Sequence, residues 1–170
     1  MKIFLTGEPR IGKSTLLDSV IESVNEKRGF ITKEVRTDGV RTSFNMISST
    51  GDKIVLCDVN STSEIRVSRY GVNIDELNKF IDNLPDIEPG RLIYIDEVGQ
   101  MELYSDSFKA LVNDYLEKPN PLIGTLSSVY NDEFTEELRK RDDVEIIQVT
   151  LENRDALKNE LISRIAKYVH

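Results

Sequence analysis

One short stretch near the N-terminus holds residues whose types and spacing could do chemistry together. It reads Gly7-Glu8-Pro9-Arg10-Ile11-Gly12-Lys13-Ser14 and is followed by Thr15. The pattern is G-x-x-x-x-G-K-[ST], a loop that wraps its backbone around an anion. Gly7 and Gly12 lack a Cβ, so the chain can turn tightly and bring its N–H groups against a phosphate. Those groups form a concave nest of donors, and a helix beginning at the loop's end adds the positive end of its dipole. Lys13 would reach the β- and γ-phosphates as a mobile point charge, and the Ser14 hydroxyl would face Mg²⁺. A glycine-rich turn that merely joined a strand to a helix would have no need of Lys13 and Ser14 at the helix start.

A second candidate element lies further along the chain. Arg91-Leu92-Ile93-Tyr94-Ile95 is a buried-strand pattern, and Asp96-Glu97-Val98-Gly99 follows it. An aspartate ending such a strand can hold a hydrated Mg²⁺ directly or through water. Alone the pattern is weak, but it gains weight beside a phosphate loop in the same chain. Glu97 is a second carboxylate, able to accept a proton from a water in line with the γ-phosphate, or to orient that water. The expected nucleotide contacts are therefore Gly7, Glu8, Pro9, Arg10, Ile11, Gly12, Lys13, Ser14, Thr15, Asp96, Glu97, Val98 and Gly99. Ser14 and Asp96 are the expected metal ligands. Asp96 to Gln100 also spells D-x-x-G-Q, the second switch of signalling GTPases. Such a GTPase needs a guanine-reading N-K-x-D as well. The nearest approach, Asn153-Arg154-Asp155, has the wrong spacing and composition, so Gln100 reads as an ordinary polar loop residue.

The elements that must position these groups alternate between strand and helix. Residues 2–6 read as a first strand. Leu16, Leu17, Val20, Ile21 and Val24 lie at helical spacing, and Glu26-Lys27-Arg28-Gly29 is expected to end that helix. Residues 30–57 change character: strand-like runs separated by Thr37-Asp38-Gly39-Val40 and Ser49-Thr50-Gly51-Asp52 predict an inserted antiparallel ribbon over about 29–57. Residues 58–72 are polar and could form a loop over the nucleotide. Asn73 or Asp75 could cap the next helix and Asn153 the last one. Further helices are expected from Ser105 or Ser107 to Leu116 and over 133–141, and further strands over 122–126 and 144–149. Strands alternating with helices predict an α/β fold, a mostly parallel sheet with helices on both faces, in one domain spanning 1–170.

Composition narrows the function classes. Apolar residues make up 39% and charged residues 31%, with a formal net charge of −8. That balance argues against general nucleic-acid binding, which needs a basic face, but not against a nucleotide held by local backbone N–H groups. Cys57 is the single cysteine, so neither an intramolecular disulfide nor a cysteine-rich zinc site is available, and a cytoplasmic setting is expected. His170 is the single histidine and stands at the end of the chain. No apolar run is long enough for a membrane span.

Taken with the blocks Gly29 to Arg36, Gly39-Val40-Arg41, Arg69-Tyr70-Gly71-Val72, Ile95 to Leu103, and Thr150 with Glu152 to Asp155, the chain resembles the small P-loop nucleoside-triphosphatases first described from thermophiles, whose animal member is a cancer-related nucleoside-triphosphatase. The resemblance covers almost the whole chain. It implies a RecA-like core and Mg²⁺-dependent hydrolysis of ATP, GTP and other nucleoside triphosphates to diphosphate and phosphate, in a monomer or weak oligomer. By resemblance and placement, Arg36 and Arg41 on the ribbon are candidates for a cationic finger acting with Glu97 and Lys13 in catalysis. Three departures stand out: Arg10 where glycine is usual, Gln100 where lysine is usual, and Ser127-Ser128 after the third strand. Two other readings use the same loop. A small nucleotide or polynucleotide kinase would need an acceptor pocket and an arginine-rich lid, for which Arg139-Lys140-Arg141 is the candidate. A nucleotide-regulated interaction module would use Tyr70 and the ribbon as its partner surface.

Overall fold

The computed structural model describes residues 1–170. In chain order the strands are β1 (Lys2–Thr6), β2 (Lys27–Thr37), β3 (Val40–Ser48), β4 (Lys53–Asp58), β5 (Arg66–Val67), β6 (Tyr70–Val72), β7 (Leu92–Val98), β8 (Leu122–Leu126) and β9 (Glu145–Gln148). The helices are α1 (Lys13–Glu22), α2 (Ile74–Asp82), α3 (Asp106–Glu117), α4 (Glu133–Lys140) and α5 (Arg154–Ile165), with a short 3₁₀ turn at Glu102–Tyr104. All nine strands share one sheet in the order β5-β6-β4-β3-β2-β7-β8-β1-β9. Strands β2, β7, β8, β1 and β9 run parallel, and β3, β4, β6 and β5 extend the sheet antiparallel. This is the predicted α/β architecture with its inserted ribbon.

The sheet holds the site because both its faces are covered. Every residue of β1 is buried, and alternate residues point to opposite faces. Ile3 and Leu5 pack with Leu16, Leu17 and Val20 of α1 and with Leu157 and Leu161 of α5. Phe4 faces the other way, into a cluster with Ile93, Ile95, Phe30, Leu77, Phe80, Phe108, Val112 and Leu138. Phe30 meets the rings of Phe80 and Phe108 edge-on at 6.2 and 6.0 Å. Each such side chain, fully buried, contributes about 1.5–3 kcal/mol. The phosphate loop leaves the C-terminal end of a strand anchored on both sides, which keeps its backbone in place.

Four local expectations need correcting. Helix α1 ends at Glu22, and Lys27, Arg28 and Gly29 already belong to β2. The Lys27 amine donates to the carbonyls of Ile21 and Val24, satisfying acceptors at the end of the helix. Gly29 is there for close approach: a Cβ would lie 1.9 Å from the Tyr94 carbonyl oxygen on β7. Residues 66–72 form the β5–β6 hairpin instead of a plain loop. Asn73 and Asn153 stand at helix starts without capping them. The Asn73 amide donates to the Val55 carbonyl, and the Asn153 oxygen accepts from the Thr150 N–H. Ser105 does cap α3, accepting from the Phe108 N–H. No helix is long and apolar enough to cross a membrane.

Candidate active site

A cavity of about 680 Å³ opens along the C-terminal ends of the parallel strands. Pro9, Arg10, Gly12, Lys13, Ser14, Thr15, Asp96 and Glu97 all line it, so the two halves of the predicted site form one wall. Gly7, Glu8 and Ile11, the remaining residues of the loop, stand outside the cavity lining. Gly7 has φ 151°, and a Cβ there would press 2.8 Å from the Val149 carbonyl oxygen. Gly12 has φ 107° and leads directly into α1. Arg10 has φ 67°, a left-handed conformation that glycine adopts freely and arginine does not. The departure at Arg10 thus carries backbone strain as well as charge.

The Lys13 amine lies across the loop, donating to the carbonyls of Gly7 (2.6 Å) and Glu8 (3.0 Å). Burial lowers its pKa, while the nearby carboxylates of Glu97 and Asp96 oppose that shift. Two further residues brace the loop from outside. Ser128 donates to the Gly7 carbonyl at 2.7 Å, and Arg154 donates to the Ile11 carbonyl at 3.1 Å.

Asp96 is 3% exposed. Its Oδ1 accepts from the Ser14 hydroxyl at 3.2 Å and from the Thr125 hydroxyl at 2.6 Å. The Thr32 hydroxyl holds the Asp96 carbonyl at 2.6 Å. Sequence reasoning did not find Thr32 or Thr125. Each lies on an ordinary strand, and only the sheet order brings both to Asp96. The serine hydroxyl and the aspartate are hard oxygen donors of the kind that would suit a Mg²⁺, which takes few ligands from the protein itself. No cluster of three or more His, Cys, Asp or Glu residues offers a fuller cage. Burial raises the Asp96 pKa, with the hydrogen bonds from Thr125 and Ser14 opposing.

Glu97 is half-buried beside Asp96. Its pKa is raised, first by burial and then by the Asp96 charge, with Lys13 pulling the other way. Gly99 explains how its side chain is placed. A Cβ at Gly99 would lie 2.6 Å from Glu97 Oε1 and 3.1 Å from Glu102 Oε2, so two carboxylates fold back over this glycine. Glu102 is buried, and burial together with the Glu97 charge raises its pKa well above the ordinary glutamate range. In the sequence, Glu102 stands out only as part of the block Ile95 to Leu103. Val98 points away into the core at 0% exposure and cannot contact a nucleotide with its side chain.

The two finger candidates stand outside the cavity lining. Arg36 donates to Glu34 (2.7 Å) and to the Gly39 carbonyl (3.0 Å). Arg41 donates to the Tyr70 hydroxyl (3.0 Å) and pairs with Glu34 at 3.7 Å. The basic run on α4 is also engaged. Arg139 donates to the Ser127 carbonyl, and Arg141 bridges Asp143 and Glu117. Cys57 is buried with its thiol pushed up to about 12, so it acts as a small apolar group.

The profile of the NTPase family matches residues 2–162. Nucleoside-triphosphatase THEP1 of Thermotoga sp. (strain RQ2) is 34% identical over 165 residues, covering 96% of this chain and 94% of that protein. A cancer-related nucleoside-triphosphatase homolog of Mus musculus is 33% identical over 181 residues, covering 95% of this chain and 94% of its own. Among solved structures, THEP1 from the hyperthermophile Aquifex aeolicus superposes with a TM-score of 0.83 at 30% identity, covering 97% of this chain and 99% of its own.

Proposed function

The chain belongs to the NTPase family, and from that premise we propose that it hydrolyses nucleoside triphosphates to the diphosphate and phosphate at the cavity lined by Lys13, Asp96 and Glu97. The observation that supports this most directly is the convergence of four groups from distant parts of the chain. Lys13 and Ser14 come from the loop, Asp96 and Glu97 from β7, and Ser14 and Asp96 meet at 3.2 Å. The N–H groups of the loop and of the first turn of α1 bind the phosphates. Lys13 exchanges the Gly7 and Glu8 carbonyls for the β- and γ-phosphate oxygens, and needs no new charge to do so. Ser14 and Asp96 would hold Mg²⁺, which when bound would supply positive charge to the phosphate oxygens. Thr125 and Thr32 fix Asp96 so that its oxygen stays aimed at Ser14.

Glu97 takes the proton of the attacking water. Burial and the Asp96 charge raise its pKa, which makes it a stronger proton acceptor than an ordinary carboxylate. Burial of the carboxylate also keeps other solvent from competing with the oriented water. With Arg36 and Arg41 tied to the ribbon, Arg10 is the arginine that already lines the cavity, and we assign it the auxiliary positive charge. The single buried cysteine suits a reducing, cytoplasmic setting.

A phosphate-release panel over eight nucleoside triphosphates, each with and without Mg²⁺, tests the proposal. Release with several bases, abolished by chelating the metal, is the expected outcome. No release with any triphosphate at millimolar Mg²⁺ refutes it.

A further inference from the structure

The cavity extends well beyond the residues that hydrolysis requires. From Asp96 and Glu97 on β7 its wall continues to Thr32 and Glu34 on β2, Phe44 on β3, Leu56 on β4 and Val67 on β5, with Met101 closing it. Leu56 stands three strands from β7, roughly 14 Å away at the usual spacing of about 4.8 Å per strand. Lys13, Ser14, Asp96 and Glu97 mark the γ-phosphate end of a bound triphosphate, so its nucleoside leaves in the other direction. The outer wall therefore faces the γ-phosphate from the side at which a nucleophile attacks. Water has no use for a wall built of Phe44, Leu56, Val67 and Met101. Phe44 and Met101 are only half-buried although large and apolar, as expected of surfaces that a ligand covers.

Charge narrows the choice of ligand. Glu34, Glu97 and Glu102 line this half, and the arginines that could greet a second phosphate are held elsewhere: Arg36 and Arg41 on the ribbon, Arg139 by Ser127, Arg141 by Asp143. Lys33 is paired with Asp18. Arg10 remains, but on the phosphate loop itself. An anionic acceptor would meet carboxylates without compensation, whereas an uncharged one would not. Phe44 carries the Arg41 guanidinium over its ring at 5.3 Å and meets Tyr70 edge-on, and the part of that ring still exposed, with the Met101 thioether, offers apolar surface to a flat ring. The Gln100 amide, also on the wall, offers both a donor and an acceptor to a ring edge.

We propose that the outer half of the cavity is an acceptor pocket for an uncharged nucleoside, and that the chain transfers the γ-phosphoryl group to a hydroxyl of its sugar. The inference rests on the triphosphate site proposed above. In the step, the sugar oxygen forms a bond to the γ-phosphorus, and the bond from that phosphorus to the β,γ-bridging oxygen breaks. The electron pair leaves with the β-phosphate, and the hydroxyl proton passes to the Glu97 carboxylate. The products are a nucleoside monophosphate and a nucleoside diphosphate, and nothing is oxidised or reduced. Hydrolysis is then the same step with water in the place of the sugar hydroxyl.

The test incubates the protein with Mg²⁺ and γ-³²P-labelled ATP, with adenosine, guanosine, cytidine or uridine added singly, and separates the products by thin-layer chromatography. Label is expected in the monophosphate of at least one nucleoside. Val67→Glu, which adds a charge to the outer wall far from the phosphate loop, should cut that labelling at least tenfold and leave phosphate release within twofold. Saturation-transfer NMR with the same nucleoside and a non-hydrolysable ATP analogue should show binding to the natural chain and none to the variant. Label in inorganic phosphate alone with all four nucleosides overturns the proposal, as does labelling that Val67→Glu leaves unchanged. Absence of both phosphate release and transfer instead refutes the triphosphate site on which the inference depends.

Discussion

Replacing Glu97 by Gln removes the proposed base while keeping its size and one acceptor oxygen. A positioned base is worth about 10² to 10⁴ in rate, or about 2.7–5.4 kcal/mol of barrier at about 1.36 kcal/mol per decade. The surroundings of Glu97 say how affinity should respond. The carboxylate is attracted to Lys13 and repelled by Asp96, so neutralising it removes one favourable and one unfavourable interaction. It also removes a negative charge next to a polyphosphate. Affinity for a non-hydrolysable triphosphate should therefore stay within a few-fold, or tighten, while kcat falls. The pH profile gives an independent reading. The base works when deprotonated, so the natural chain should lose rate as pH falls through the Glu97 pKa, which lies above the usual glutamate value. The Gln variant should lack that limb. Single-turnover hydrolysis from pH 5 to 9, beside equilibrium binding of the analogue, measures both effects. Gln100→Ala is the control and should hydrolyse at close to the natural rate. A nearly normal Glu97→Gln beside a crippled Gln100→Ala would refute the assignment and favour a GTPase-like switch.

Lys13→Ala should weaken triphosphate binding and nearly abolish turnover with the fold intact, which calorimetric titration with ATP and Mg²⁺ will read; unchanged affinity would count against the loop assignment. Ser14→Ala and Asp96→Ala should each raise the Mg²⁺ concentration needed for activity, and a double-mutant cycle should find their effects non-additive, because they serve one ion. Gly99→Ala should lower kcat more than it lowers stability: its new Cβ would sit 2.6 Å from Glu97 Oε1, the movable end of a side chain, and would displace the base without breaking the core. Glu102→Gln should raise the melting temperature of the ligand-free protein. Burial lifts the folded-state pKa of Glu102 above its unfolded value, so its stability contribution is greatest below the ordinary glutamate pKa and is lost as pH rises through the raised one. Keeping this carboxyl buried, whether by taking up a proton or by desolvating its charge, costs the fold stability at neutral pH, and each kcal/mol recovered is worth about 2–4 °C in a chain of this size. A lower melting temperature at pH 7.5 would contradict this.

The parallel core was legible because its strands are uniformly apolar and its loop has a fixed spacing. Ile3-Phe4-Leu5 and Leu92-Ile93-Tyr94-Ile95 announce strands covered on both faces, and Gly7 to Ser14 can be recognised from the residues alone. The parts that were not legible depend on contacts between distant segments. Gly29 looks like a helix stop, but the Tyr94 carbonyl pressing against it makes it a strand residue. Asn73 and Asn153 have the right type and place for caps, but each finds a better partner, at Val55 and Thr150. Arg36 and Arg41 lie on the predicted ribbon, but nothing in the sequence says that Glu34 and Tyr70 would hold them there. Thr32 and Thr125 carry no sequence signal at all, since a threonine in a strand is ordinary until the sheet order places Asp96 between them.

The same logic accounts for the electrostatics of the site. Within seven residues, Asp96, Glu97 and Glu102 bury three carboxyl groups, and all three have raised pKa values. Lys33 opposes the shift of Asp96 and Lys13 that of Glu97, and Lys13 has its own pKa lowered by burial. A fold selected for stability alone would not gather three buried acids at the wall of one cavity, because each buried charge lacks a full partner. The arrangement makes sense if the missing positive charge arrives with the ligand. A divalent cation at Ser14 and Asp96 would relieve the acids, and the phosphates it carries would take over the Lys13 amine. Gly99 is where the two needs meet. By having no side chain it lets Glu97 and Glu102 fold inward, so one absent Cβ leaves room for the proposed base to lie beside Asp96.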